Sequence, residues 1–197
     1  MSSPPLPLWH AAAGDATFTD PAACAARADA FARQIARRNR RERWAAYVQL
    51  PVWGALAAFF AARGEALIAA ALVLIALGLL AVLANLARRA TNLEALPEEP
   101  CLAHLARQYR RQHAALRAVP RWYIAPLLPG IAGFYAAVTA RVAERAGWSA
   151  ALEGALWPFA VTFGIFAVVL VLNRLAARAL AAELARIEAL SPPPPSL

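Results

Sequence analysis

The sequence predicts an all-α integral membrane protein with four transmembrane helices in two hairpins and with amphipathic helices on the cytoplasmic side. Three observations support this fold class: the composition, the lengths of the apolar segments, and the placement of the arginines. Of the 197 residues, 61% are hydrophobic and 16% are charged, whereas a soluble domain is roughly 45–50% apolar and about 25% charged. The charges lie in clusters, which leaves long segments without any.

Four segments have the length of about 20 apolar residues that a helix needs to cross the hydrocarbon core of a bilayer. They are Trp44–Ala62, Ala66–Ala87, Trp122–Ala140 and Leu156–Asn173. The second segment is the strongest candidate because it is rich in Leu, Ile and Val. The first is the weakest because it contains Gln49, Pro51 and Gly54. Hydropathy alone also fits a surface or re-entrant segment there.

The arginines favour four spans. If all four segments cross, seventeen arginines lie on the side of both termini, and Arg63, Arg141 and Arg145 lie on the other. Because arginine-rich loops stay in the cytoplasm, both termini are predicted to be cytoplasmic in a bacterial inner membrane. Met1–His10 lacks the charged and apolar regions of a secretory signal, so none is predicted.

The predicted spans divide the chain into seven parts. These are an irregular N-terminal tail (1–19), a basic amphipathic helix (20–43), a first transmembrane hairpin (44–87), a cytoplasmic segment with an amphipathic helix (88–121), a second hairpin (122–173), a C-terminal helix (174–190) and a Pro-rich tail (191–197). Asp20-Pro21 predicts a helix start, since Asp caps the first N–H groups and Pro fits the first helical position. The central helix is predicted from about Pro100 to Ala118.

Arginines beside aromatic residues occur where the chain is predicted to enter the bilayer. We therefore expect five membrane-interface anchors, which are Arg43, Trp44, Arg121, Trp122 and Tyr123. The arginine clusters before them attract anionic lipid headgroups by about 1 kcal/mol per residue. Nucleic acid is a less favoured partner, because the clusters match no recognisable binding module.

The two predicted cytoplasmic helices each carry an apolar stripe at helical spacing. We interpret their apolar residues as a candidate partner-binding face made of Phe31, Ile35, Leu102, Leu105, Tyr109 and Leu116. Leu180, Leu184 and Ile187 form a third stripe near the C-terminus. Small residues such as Gly133 and Ala137 also allow a homo-oligomer.

The halves of the chain resemble each other at an offset of 78 residues. Arg43-Trp44 matches Arg121-Trp122, Leu50-Pro51 matches Leu128-Pro129, and Arg63 matches Arg141. Each half is predicted to be a basic helix followed by a Pro-containing hairpin, and this pattern predicts a parallel internal repeat. Some transporters are built from parallel repeats, and gene-duplicated anchors can be as well.

The sequence contains no recognisable catalytic set. No Ser lies in a nucleophile motif, no phosphate-binding loop is present, and no Asp, Glu, His or Arg lies inside an apolar segment. We therefore expect neither enzymatic activity nor a cofactor. Cys101 and His104, with His113 and Cys24, form the best metal-ligand set, but their spacing matches no zinc motif. Both cysteines fall in predicted cytoplasmic segments, so free thiols are expected.

Several motifs resemble those of a group of small multi-pass membrane proteins from proteobacteria that have no assigned chemistry. The motifs are Leu8-Trp9, the run from Arg37 to Glu42, Cys101-Leu102, and Leu116-Arg117-x-Val119-x-Arg121-Trp122-Tyr123-x-x-Pro126-x-x-Pro129-Gly130. The resemblance covers most of residues 8–135. Where this chain has Pro120, such proteins often carry Trp. The group's association with genes for extracytoplasmic-function sigma factors implies a membrane-bound regulatory role.

Two functional hypotheses follow. The first is a non-enzymatic inner-membrane protein whose cytoplasmic amphipathic helices bind a protein partner, such as a sigma factor or another transcription regulator. The second is a small transporter or channel subunit built from the duplicated hairpin. It would need a polar path through the membrane, and Asn85, Thr139 and Asn173 are the candidates for lining one.

Overall fold

A computed structural model describes residues 20–189, and within this range helices are the only regular secondary structure. Its elements are α1 (Pro21–Ala62), α2 (Ala66–Arg89), α3 (Cys101–Arg117), a π-helical turn (Pro120–Ile124), α4 (Leu128–Ala146) and α5 (Trp148–Ala189). The predicted all-α class is therefore confirmed. The predicted irregular tail (1–19), the Pro-rich tail (191–197) and Leu8-Trp9 lie outside the described residues.

Three helices of this range, α1, α2 and α5, are long and apolar enough to cross a membrane. In the most apolar part of α2, 44% of the residues are buried inside the protein, whereas the corresponding part of α5 buries none. Alpha2 is therefore the central apolar helix, and α5 exposes apolar side chains such as Trp157, which is 75% exposed. An exposed apolar surface of this kind is stable in lipid and not in water.

Helices α1 and α5 each join a predicted amphipathic segment to a predicted membrane segment without a break. Alpha1 starts as predicted, with the Asp20 carboxylate accepting from the Ala22 N–H at 3.0 Å, and it continues past Arg43 to Ala62. Alpha5 continues past Asn173 to Ala189. The observed α3 lies within one residue of the predicted ends of the central helix.

Glycine makes both turns between paired helices. Gly64 lies between α1 and α2 with φ 75°, and Gly147 lies between α4 and α5 with φ 84°. This left-handed region is readily accessible to glycine and strained for other residues. Each turn allows the following helix to fold back, which produces two helical hairpins.

The third predicted segment, 122–140, does not begin as an α-helix. Residues 120–124 form the π-helical turn, and α4 starts only at Leu128. In a regular helix the Trp122 carbonyl would accept from residue 126, but Pro126 has no N–H. Asn85 of α2 supplies the missing donor, because its Nδ2 lies 3.1 Å from the Trp122 oxygen.

Beyond this break, α4 runs antiparallel to α2. A Cβ on Gly78 would collide with the Pro126 carbonyl, and a Cβ on Gly130 would lie 2.5 Å from the Ile75 nitrogen. Further along α4, Arg141 Nε donates a hydrogen bond to the Glu65 carboxylate at 2.7 Å. The two backbones are thus in close contact near the middle of α2, and their pairing continues to the first residues of that helix.

Three apolar clusters are stacked along the molecule. The first joins α1, α2 and α4 around Leu72 and Ile75, and the second joins the end of α2 to the π-helical turn and α5 around Trp122. The third packs α3 against α1 and α5 around Leu105 and Tyr109. We call the part of the molecule around this third cluster the head.

Candidate functional site

The predicted partner-binding face is the interior of the head. Ile35, Leu105, Tyr109 and Leu116 are between 1% and 7% exposed, while Phe31 and Leu102 are partly buried. The rings of Phe31 and Tyr109 lie edge to face, 4.4 Å apart. In this structure the apolar stripes of α1, α3 and α5 bury one another, so these residues are occupied by internal packing.

The predicted membrane anchors divide into two groups. Arg43, Trp44 and Arg121 are exposed, with Trp44 64% exposed. Trp122 is only 5% exposed, and its Nε1–H donates to the Ala115 carbonyl at 2.8 Å. Its indole is therefore a core group and does not face lipid, and Tyr123 is half-buried against it.

The cysteines form a disulfide between Cys24 and Cys101, whose Cα atoms lie 6.3 Å apart. The expectation of free thiols is wrong for this structure, because packing of α3 on α1 brings together two residues 77 positions apart. The bond also removes both thiolates from the metal-ligand set considered above. His104 instead lies 3.2 Å from Glu99.

Polar side chains fix the connection between α2 and α3 to the head. The Ala90 carbonyl accepts from Asn39 at 2.7 Å and from Gln112 at 3.1 Å. Gln108 accepts from the Leu93 N–H and donates to Asn92, both at 2.8 Å. The connection is therefore held by side chains from both α1 and α3.

Glu99 lies at the end of this connection, just before α3 begins at Cys101. Arg107 donates to both of its carboxylate oxygens, at 2.9 and 2.6 Å. This bidentate contact is the main reason why the pKa of Glu99 lies below its usual value of 4.5.

A cavity of about 590 Å³ lies in the head, where residues of α1, α3 and α5 line it. We call it the head cavity. Its basic side chains are Arg37, Arg38 and Arg41, and its apolar walls include Phe31 and Leu180. Among the described residues that line it there is no acidic side chain. The cavity therefore combines positive charge with apolar surface.

Two polar atoms beside the head cavity lack hydrogen-bond partners among the described residues. They are Nε of Arg38 and Oε1 of Gln112. Gln112 is 1% exposed. A buried polar atom without a partner costs about 1–3 kcal/mol. Both atoms are themselves buried, so a group bound in the cavity does not reach them in this structure.

A smaller cavity of about 220 Å³, the neck cavity, shares Arg38 and Leu116 with the head cavity. Glu42 lines it, with its carboxylate 3.6 Å from Arg38 Nε. Glu42 precedes the first apolar segment, and burial raises its pKa although Arg38 partly opposes the shift. Three arginines and one acid therefore line the two cavities among the described residues.

A third cavity of about 420 Å³, the membrane cavity, lies among the apolar parts of α1, α2, α4 and α5. Its walls are mostly apolar, and its polar groups are Gln49 and the pair Tyr135–Thr162, whose hydroxyls are 2.8 Å apart. Asn85 and Asn173, predicted to line a polar path, both donate to backbone carbonyls.

Sequence reasoning missed Arg38, Asn39 and Gln112. All three lie on α1 or α3 within segments rich in polar residues, where a buried amide looks like any other surface position. One signal in the sequence was the match between Arg33-Gln34 and Arg111-Gln112 at the repeat offset of 78 residues. This match singled out Gln112 but did not indicate that its side chain is buried.

Comparison with known proteins gives no assignment: no protein-family model, curated protein or solved structure matches the chain.

Proposed function

We propose that the chain is a non-enzymatic, four-span protein of a bacterial inner membrane whose head lies in the cytoplasm and binds a protein partner. The main observation in support of four spans is the pairing of α4 with α2. Contacts from Gly78 with Pro126 to Glu65 with Arg141 run along the N-terminal half of α2. If α2 crosses the bilayer, α4 crosses beside it.

The orientation rests on charge. With four spans, the head side holds seventeen arginines against nine acidic residues, and the other side holds three of each. A segment with that excess of arginine is retained in the cytoplasm. The two hairpins with their glycine turns also support the parallel repeat, since each follows a basic amphipathic helix.

The partner-binding surface that we propose is the outer, arginine-rich face of the head. The apolar stripes are consumed by internal packing, whereas Arg33, Arg37 and Arg40 are exposed. Exposed positive charge speeds association with acidic proteins and gives specificity. A regulator with an acidic surface, such as a sigma factor, would fit this face.

A bacterial two-hybrid assay with the full chain as bait and the cell's own sigma factors as prey tests the partner. We expect a signal that falls when Arg33 and Arg40 are changed to Glu. The matched control is the same change at Arg88 and Arg89, which are exposed at the end of α2. Absence of any interaction, or an equal loss in both double variants, would contradict the proposed surface.

The membrane cavity supports the second candidate, a small transporter or channel subunit. It lies between the two hairpins, where a path between repeats would run. The experiment is the flux of protons and K⁺ into proteoliposomes containing the purified chain. Flux above that of protein-free vesicles, reduced by Thr162→Val, would favour transport, and flux equal to that of empty vesicles would exclude it for these ions.

A further inference from the structure

The three cavities follow one another along the same two helices, α1 and α5, and we call the space between these helices the groove. The head cavity is lined by residues 31–41 of α1 and 176–180 of α5, the neck cavity by Glu42 and residues 169–173, and the membrane cavity by residues 49–53 and 162–166. The same two helices thus flank all three cavities in the same order. The groove begins among arginines and ends among apolar side chains.

The distance along α1 from the arginines of the head cavity to the start of the membrane cavity is close to the hydrocarbon thickness of one leaflet. From Arg38 to Gln49 there are eleven residues of continuous helix, or about 16 Å at 1.5 Å per residue. Half of a hydrocarbon core of about 30 Å is about 15 Å. We call the end of the groove beside Arg37, Arg38 and Arg41 its mouth. Because these arginines precede the first apolar segment, the mouth lies at the depth of the lipid headgroups.

The chemistry of the mouth favours a phosphate. Arg37, Arg38 and Arg41 supply positive charge, and Glu42, 3.6 Å from Arg38 Nε, is the one acid beside them among the residues that line the head and neck cavities. Guanidinium groups bind phosphate oxygens through short, charge-assisted hydrogen bonds.

We propose that this groove binds one anionic glycerophospholipid, with the phosphate at Arg37, Arg38 and Arg41 and an acyl chain between α1 and α5. The inference rests on the membrane placement proposed above and does not depend on the protein partner. An acidic protein segment fits less well, because its charge would match the mouth but nothing in it would fill the apolar length below.

The test uses the full chain, purified in a non-ionic detergent and depleted of lipid. Native mass spectrometry measures binding of dioleoyl phosphatidylglycerol, with dioleoyl phosphatidylcholine, glycerol 3-phosphate and inorganic phosphate as comparisons. We expect one phosphatidylglycerol per chain, bound at least about tenfold more tightly than the other three. Equal binding of phosphatidylglycerol and phosphatidylcholine, or of free phosphate and lipid, would overturn the proposal.

Two pairs of variants locate the site. Arg38→Gln with Arg41→Gln should weaken phosphatidylglycerol binding at least about tenfold. Arg88→Gln with Arg89→Gln removes the same charge from exposed positions that line neither the head cavity nor the neck cavity, and should leave phosphatidylglycerol binding within about twofold. An equal loss in both double variants would show a diffuse charge effect and overturn the site.

The groove itself is tested by filling it. Ala179 lines the head cavity, whereas Ala182 lies exposed on the same helix. Ala179→Phe should weaken phosphatidylglycerol binding, while Ala182→Phe should not. Unchanged binding by Ala179→Phe would overturn the groove. Reporter fusions that contradicted the membrane topology would instead overturn the membrane placement, so the two failures are distinguishable.

Discussion

At the scale of single residues, Asn85 has a structural role that its sequence position does not reveal. Its amide donates to the Trp122 carbonyl that Pro126 leaves without a helical partner. We predict that Asn85→Ala lowers the free energy of unfolding by about 1–3 kcal/mol, because a partly buried carbonyl loses its donor. Thermal unfolding in detergent measures the change.

The control for Asn85 is Asn173, the last residue of the fourth predicted apolar segment. Asn173 Nδ2 donates to the Val169 carbonyl in its own helix, and that carbonyl already has a backbone partner in the helical pattern. Asn173→Ala should therefore cost no more than about 0.5 kcal/mol, as expected for a change that orphans no polar group. Equal losses in the two variants would contradict the role given to Asn85.

Glu99 makes stability depend on pH. Its pKa in the folded protein is lowered from 4.5, mainly by the hydrogen bonds from Arg107. The stabilisation is therefore complete above pH 4.5 and is lost as the pH falls through the lowered folded-state pKa.

We predict that Arg107→Gln makes the melting temperature less sensitive to pH below 4.5, while Glu98→Gln, at an exposed neighbour, keeps the wild-type dependence. Melting curves at a series of acidic pH values measure this. A wild-type pH profile in the Arg107 variant would argue against the assigned cause.

At the scale of elements, the crossing of α2 and α4 depends on two glycines. A Cβ at Gly78 or Gly130 would meet backbone atoms of the other segment, whereas Gly54 and Gly164 have nothing within 4 Å. We predict that Gly78→Ala and Gly130→Ala each cost about 1–3 kcal/mol through overpacking. Gly54→Ala and Gly164→Ala should be neutral or slightly stabilising in the same unfolding assay, because alanine favours helix.

The disulfide between Cys24 and Cys101 ties the first turn of α1 to the first turn of α3. Because it closes a long loop, reduction should lower the stability of the head by about 2–4 kcal/mol. Unfolding of the purified chain with and without reductant measures the loss. Cys24→Ser should show the reduced stability in both conditions, and a further drop on adding reductant would argue against this pairing.

The helices could be predicted from sequence because their signals are local: apolar length, stripe spacing, and Asp20-Pro21 as a start. What could not be predicted depends on contacts between distant segments. Trp44 and Trp122 follow arginine in the same way, yet one is 64% exposed and the other 5%. The break at Pro126 and the packing of α5 turn Trp122 inward, and no local pattern encodes that difference. The groove between α1 and α5 likewise exists only after the hairpins pack.

At the scale of the whole molecule, the arginines and the disulfide favour opposite compartments for the head. The excess of arginine favours the cytoplasm, whereas stable disulfides form in oxidising compartments. With the head in the cytoplasm, the bond between Cys24 and Cys101 would be reduced in growing cells and would form on oxidation. Orientation and redox state are therefore linked, and both can be measured.

Reporter fusions and thiol trapping resolve this conflict together. We predict that alkaline phosphatase is active when fused at Gly64 or Gly147 and inactive at Pro97, because arginine placement dominates insertion. In the same cells, a membrane-permeant maleimide should label both cysteines without prior reduction. Phosphatase activity at Pro97 alone, with cysteines that label only after reduction, would place the head in the periplasm. That result would overturn the cytoplasmic partner while leaving the helical packing and the groove intact.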